Sequence, residues 1–182
     1  MTGIAGGVMG GLSLGWNIAS YLLAGGRASV KMETGLYMNG NLFAMPSPKE
    51  GINVYDNPLT APVDHVLIVR VHSKGRQAMT IDGVMFSGRT GATYLPTQFV
   101  QGALPARLEA YASHTIVLRL PDINLQAHEV LRRMATTELR LRAAVQFGNG
   151  KTKRSKSLRF YAGEDPHIEL ARNPDDSDEC DD

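Results

Sequence analysis

Residues 139–147 (LRLRAAVQF) alternate apolar and polar with a period of two, and Gly148-Asn149-Gly150 follows at once. Successive strand side chains point to opposite faces, so Leu139, Leu141, Ala143, Val145 and Phe147 share one face while Arg140 and Arg142 share the other. Glycine and asparagine accept positive φ at little cost, which makes the tripeptide a hairpin turn, and residues 151–162 return as the partner. A sheet with one apolar face needs a second layer to cover it. Other segments can supply that layer. Residues 65–71 (HVLIVRV) are an apolar run of strand length, 74–76 a turn and 78–86 (AMTIDGVMF) a second strand, so these two are expected to pair as a hairpin. Residues 28–33, 104–110 and 114–120 read as three more strands. Residues 45–62 hold Pro46, Pro48, Pro58 and Pro62 and read as a loop or an edge segment, because proline cannot donate to a ladder. Asp122 is placed to cap a short helix with Ile123, Ala127, Val130, Leu131 and Met134 on one face. The expected fold over 27–163 is all-β: an antiparallel sandwich of about seven strands with one short helix.

Residues 1–26 contain no Asp, Glu, Lys, Arg or His, and they hold eight of the 19 glycines. Gly3, Gly7, Gly11, Gly15 and Ala19 recur every fourth position, which on a helix makes one ridge of small side chains, a glycine zipper along which a second backbone can approach closely. In water such a helix is poor, since each glycine costs about 1 kcal/mol against alanine. In lipid the backbone has no other hydrogen-bond partner and the helix is enforced. From Ile4 to Ala24 it would span about 32 Å at about 1.5 Å per residue, close to the roughly 30 Å of a hydrocarbon core. The segment is therefore expected to be a transmembrane helix. Arg27 and Lys31 flank its C-terminal side, which by the positive-inside rule puts the sandwich in the cytoplasm of a single-pass protein of the cell membrane. A secretory signal would need a basic stretch before the apolar run, which is absent; cleavage near Ala24-Gly25-Gly26 would instead leave a secreted sandwich.

Charge is distributed unevenly behind a net of +1: residues 27–163 carry 18 basic and 9 acidic side chains, and 164–182 carry 1 basic and 9 acidic. The tail has few apolar positions and is expected to be disordered. A basic body beside an acidic tail points to an anionic partner or to a tail that folds back on its own domain. The single cysteine, Cys180, rules out an internal disulfide.

Two stretches carry a resemblance. Val71-His72-Ser73-Lys74-Gly75-Arg76-Gln77-Ala78-Met79-Thr80-Ile81 is similar to a hairpin pattern, Val-x-Asn-x-Gly-Arg-x-Pro-Val-x-Ile, and departs from it at Ser73 and Ala78. Leu104-Pro105-Ala106-Arg107-Leu108, followed by the apolar run 115–120, is similar to a second element, with Tyr111 near the position of a turn glycine. Both resemble small bacterial proteins of actinobacteria and their phages that join one N-terminal membrane helix to an immunoglobulin-like sandwich. The resemblance covers about residues 4–160 and implies that fold and topology. It brings no catalytic residue.

Chemistry is sparse. Arg140, Arg142, Lys151, Lys153, Arg154, Lys156 and Arg159 lie on the 139–163 hairpin with no acidic residue among them, a ribbon suited to lipid headgroups or other phosphates. The plain alternative is a solvated face whose edge lysines block aggregation. Nucleic acid is the weaker partner, because no recognised nucleic-acid module surrounds these residues. His65, His72, His114, His128 and His167 show no metal-ligand spacing, and the tail aspartates lack the glycine and spaced glutamate of a calcium loop. Ser113-His114 has no carboxylate or oxyanion context. No metal, cofactor or catalytic group is expected. The expected role is non-enzymatic: a membrane-anchored interaction or structural module, homo-oligomeric through its glycine ridge. The alternative is a phage virion structural or decoration protein whose N-terminal segment packs against other subunits.

Overall fold

The computed structural model describes residues 27–55, 64–88, 93–96 and 98–163. The expected transmembrane helix over 1–26, with Gly3, Gly7, Gly11, Gly15 and Ala19, lies outside the described residues, as does the acidic tail over 164–182. Among the described residues no helix is long and apolar enough to cross a membrane.

Two sheets and one helix make up the described chain. Strands β1 (Ala28–Met38), β2 (Asn41–Met45), β4 (Asp64–Ser73) and β8 (Ser113–Arg119) form a four-stranded sheet in the order β2-β1-β4-β8. The second sheet runs from β3 (Ile52–Asn53) through β11 (Leu158–Tyr161), β9 (Glu138–Phe147) and β5 (Met79–Gly88) to β6 (Thr93–Tyr94). Beside this path β7 (Ala106–Leu108) pairs with β5, and β10 (Thr152–Arg154) with β9. Every pairing of these strands is antiparallel except β3 with β11. The described residues thus hold eleven strands where about seven were expected. The surplus is short: β2, β3 and β6 are additions of two to five residues, and the return arm of the Gly148-Asn149-Gly150 hairpin divides into β10 and β11.

The core lies between the sheets. Leu67, Val69 and Val71 of β4 and Ile116 and Leu118 of β8 meet Ile81, Val84 and Phe86 of β5 and Leu139, Leu141, Ala143, Val145 and Phe147 of β9. All are buried, as period-two alternation in β9 requires. The unbroken apolar run in β4 has a different cause. Val66 and Ile68 point to the outer face, where with Val117 they form a second cluster under Tyr37, Leu42 and Val100. β1 approaches this strand closely: a Cβ on Gly35 would stand 2.5 Å from the Phe43 carbonyl oxygen and 2.7 Å from Ile68 Cδ1, so only glycine fits.

The hairpin expected between 65–71 and 78–86 does not form. β4 has both edges taken, by β1 and by β8, while β5 pairs with β9, β6 and β7 in the other sheet. The connection is an arch between layers. It is held at its base by Ser73, fully buried, whose amide donates to the Ala112 carbonyl, and by Lys74, whose amide donates to the Arg27 carbonyl. A strand saturated on both sides has no place for its successor, so the chain must cross over.

The helix α1 (Leu120–Met134) is fifteen residues long and follows β8 directly. Arg119, not Asp122, stands at its N-cap without a side-chain cap; Asp122 lies inside the first turn, where a carboxylate still favours the helix dipole, and Pro121 supplies the preset φ of a helix start. Leu120, Ile123, Ala127 and Leu131 are buried against the core, whereas Met134 is exposed. The helix ends on Ala135 in left-handed geometry (φ 48°, ψ 44°), with the Thr136 amide donating to the Leu131 carbonyl.

Candidate functional site: a cationic groove

The hairpin of β9 and β10 forms as expected. Gly150 takes φ of 75°, its amide donates to the Phe147 carbonyl at 2.8 Å, and the Lys151 amide donates to Asn149 Oδ1 at 3.0 Å. What the alternation does not foretell is the break at Ser155. This residue is buried, its amide donates to the Ala143 carbonyl at 2.8 Å, and its hydroxyl accepts from the Ala143 amide at 3.0 Å while donating to the Lys156 carbonyl at 2.7 Å. A side-chain oxygen here takes the place of a backbone acceptor, so the arm swings out at residues 155–157 and rejoins the ladder as β11.

That swing, together with the Pro46–Pro48 crossing from β2 to β3, opens a groove of about 490 Å³. Lys31, Lys49, Arg140, Lys156 and Arg159 line it with a single carboxylate, Glu33, and with Met32, Pro46, Pro48 and Leu158 as apolar wall. Glu33 is buried and serves two cations, Lys31 on its own strand and Arg70 at 3.5 Å on β4. Arg159 has several partners. Register sets it opposite Arg140, its guanidinium lies 5.6 Å from the Tyr161 ring centroid, and it donates to the Glu50 carbonyl at 3.4 Å. Gly51 packs on it with φ of 103°, and a Cβ there would stand 2.9 Å from the Arg159 carbonyl oxygen.

One acid moderates the cluster. Glu138, a residue before the acid-free stretch, accepts from Arg140 at 2.8 Å and pairs with Arg159 at 3.1 Å. The Arg140 hydrogen bond is the largest cause that holds its carboxyl below the usual range; desolvation opposes it, and the charges of Arg159 and Arg140 add to the lowering. Lys49 and Lys156 have no ion pair among the described residues.

Of the seven cations expected to act together, Arg140, Lys156 and Arg159 converge on the groove. Arg142 and Arg154 project from the outer face of the sheet, Arg154 opposite Ala144, and Lys151 stands at the hairpin turn. Lys153 is opposite Val145 and thus on the other side of the ribbon, though exposed. Lys31 and Lys49 were missed by the sequence reading. Lys31 lies on β1 and Lys49 in the crossing from β2 to β3, both far from the hairpin along the chain, and no local pattern links them to it; the one signal is the proline pair around Ser47.

Elsewhere, His72 Nδ1 lies 2.9 Å from Ser113 Oγ across β4 and β8, not beside His114, and the pair is exposed with no carboxylate in its hydrogen bonding. Tyr55 and His128 meet through hydroxyl and Nε2 at 3.4 Å. Among the described residues no three His, Cys, Asp or Glu side chains are grouped to hold a metal ion. Chemically, the groove offers fixed positive charge and little else: it can bind an anion, and it has no nucleophile and base set against each other.

No family model matches the chain, and no curated protein matches it. Among solved structures, it is similar to the X-ray structure of Northeast Structural Genomics Consortium target SoR45 at 10% identity and a TM-score of 0.31, over 75% of this chain and 88% of that one.

Proposed function

We propose that the chain is a membrane-anchored, non-enzymatic interaction module of immunoglobulin-like fold, akin to the actinobacterial and phage proteins it resembles. In this reading its groove engages anionic lipid headgroups at the membrane surface. The observation that carries the reading is the convergence of Lys31, Lys49, Arg140, Lys156 and Arg159 around one carboxylate. Two facts support the lipid as partner. β1 begins at Ala28, directly after the uncharged segment 1–26, so Lys31 stands only five positions beyond it and the groove is close to any surface that the segment enters. Juxtamembrane basic side chains each gain about 1 kcal/mol on an anionic leaflet. The sidedness follows from Arg27 and Lys31, with the sandwich cytoplasmic. Homo-oligomers form along Gly3, Gly7, Gly11, Gly15 and Ala19.

The test is partition of the full chain between phosphatidylcholine vesicles and vesicles containing phosphatidylglycerol. Wild type is expected to prefer the anionic vesicles about tenfold at low salt, and Lys49→Glu with Lys156→Glu to lose that preference while still recovering with both. An unchanged preference removes the groove from the function. Failure to recover with any vesicle removes the anchor.

A further inference from the structure

We propose that the acidic segment 164–182 of this chain is a tethered occupant of the cationic groove and competes there with the anionic surface; its regulatory sense rests on the reading just given, its docking does not. Charge is the first argument. The groove sets five cations against Glu33, and two of them, Lys49 and Lys156, have no ion pair among the described residues. The segment carries Glu164, Asp165, Glu169, Asp175, Asp176, Asp178, Glu179, Asp181 and Asp182 against Arg172 alone. Its formal charge of −8 is opposite in sign to that of the groove.

Attachment is the second argument. β11 is the last strand, and the Gly163 amide beyond it is tied to Asn53 Oδ1 at 3.1 Å, so the segment leaves from a fixed point. Arg159 lies four positions earlier on the same strand, about 13 Å away at roughly 3.3 Å per residue. Nineteen residues reach up to about 60 Å when extended, so both the near acids and the far cluster can return to the groove. A tether of this length keeps the local concentration of its charges near the millimolar range, where even weak exposed pairs are populated. The contact is electrostatic, and it weakens as the screening length falls from about 10 Å at 0.1 M salt to about 3 Å at 1 M.

Cys180 is the only thiol in the sequence and sits inside the acidic cluster, so a spin label placed there reports where the segment spends its time. In the full chain in zwitterionic micelles, backbone amide signals of Lys49, Lys156 and Ser157 are expected to lose at least half their intensity at low salt and to regain it at 1 M salt or with Lys49→Glu and Lys156→Glu. Broadening centred on Arg142 and Arg154, or none above that at the remote Asn149, overturns the proposal. A second variant replaces the nine acids by their amides (Glu164→Gln, Asp165→Asn and so on). It is expected to bind phosphatidylglycerol vesicles about tenfold more tightly than wild type, and equal affinity overturns the competition. The two readings fail separately. A localised label without vesicle preference sinks the lipid function and leaves the docking; a vesicle preference that depends on Lys49 and Lys156 without a localised label sinks the docking alone.

Discussion

Ser155 is where one side chain decides the shape of the site. Its hydroxyl satisfies the Ala143 amide in the interior and fixes the Lys156 carbonyl, so the swing that opens the groove depends on a single oxygen. Ser155→Ala removes both hydrogen bonds and leaves a buried N–H without an acceptor, which costs about 1–3 kcal/mol. Thermal unfolding followed by circular dichroism is expected to show a midpoint lower by several degrees. A midpoint within one degree of wild type would mean that water or a backbone shift replaces the hydroxyl. Ser155→Thr, which keeps the oxygen, is expected to retain more stability than the alanine variant. Position 155 was read in the sequence only as part of a returning strand. A buried serine flanked by Arg154 and Lys156 breaks the alternation without announcing what its hydroxyl bonds, because its partner is twelve residues back across the sheet.

Elements were legible where the pattern was local. The alternation of β9, its turn, the apolar runs of β4 and β8 and the amphipathic stretch of α1 all follow from spacing alone. Thr34 to Met38 escapes the alternation because Gly35 interrupts the period, and the reason for that glycine is a neighbour, Phe43, on a strand, β2, that no sequence pattern marks. The partner of β4 was misread because sequence adjacency favours hairpins, whereas β4 is paired on both edges. The groove was half legible for the same cause: Arg140, Lys156 and Arg159 belong to one hairpin, while Lys31 and Lys49 reach it through tertiary structure. Glu138 ties the two strands of that hairpin together and sets a testable balance. Its carboxyl is depressed, so its pairs with Arg140 and Arg159 are present above the unfolded carboxylate range and are lost as pH falls through the lower folded value. Glu138→Gln reproduces the protonated form at neutral pH. It is expected to raise affinity for phosphatidylglycerol vesicles several-fold at pH 7, because two guanidinium groups are released to the surface. The difference from wild type should shrink as pH falls below 4.5, where the native carboxyl itself gains its proton. Vesicle titrations at both pH values measure this, and a pH-independent difference would assign the effect to something other than the carboxyl charge.

At the scale of the whole molecule, the sandwich and the first 26 residues make different demands on their surroundings. The two sheets of the sandwich pack their inner apolar faces on each other. The first 26 residues carry no charge, and in the proposed reading their small residues are spaced for a neighbouring helix in lipid. The proposed module then acts as a cluster. Several grooves held on one patch of membrane bind together, and linking sites raises avidity by two to four orders of magnitude without any new contact. A single groove of exposed cations is weak, since such pairs contribute roughly 0–1 kcal/mol each. In the proposed module, clustering therefore matters more than the affinity of one copy. Gly7→Leu with Gly11→Leu would fill the centre of the proposed ridge and keep the segment apolar, so insertion is expected to be retained and close approach to be lost. Sedimentation in density-matched detergent is expected to show oligomers for wild type and monomers for the double variant. Binding to phosphatidylglycerol vesicles should fall at least tenfold, with the thermal midpoint of the sandwich unchanged. Oligomers of unchanged size would reject association through this ridge. Monomers that bind vesicles as tightly as wild type would instead show that one groove suffices and that the glycine spacing serves another purpose.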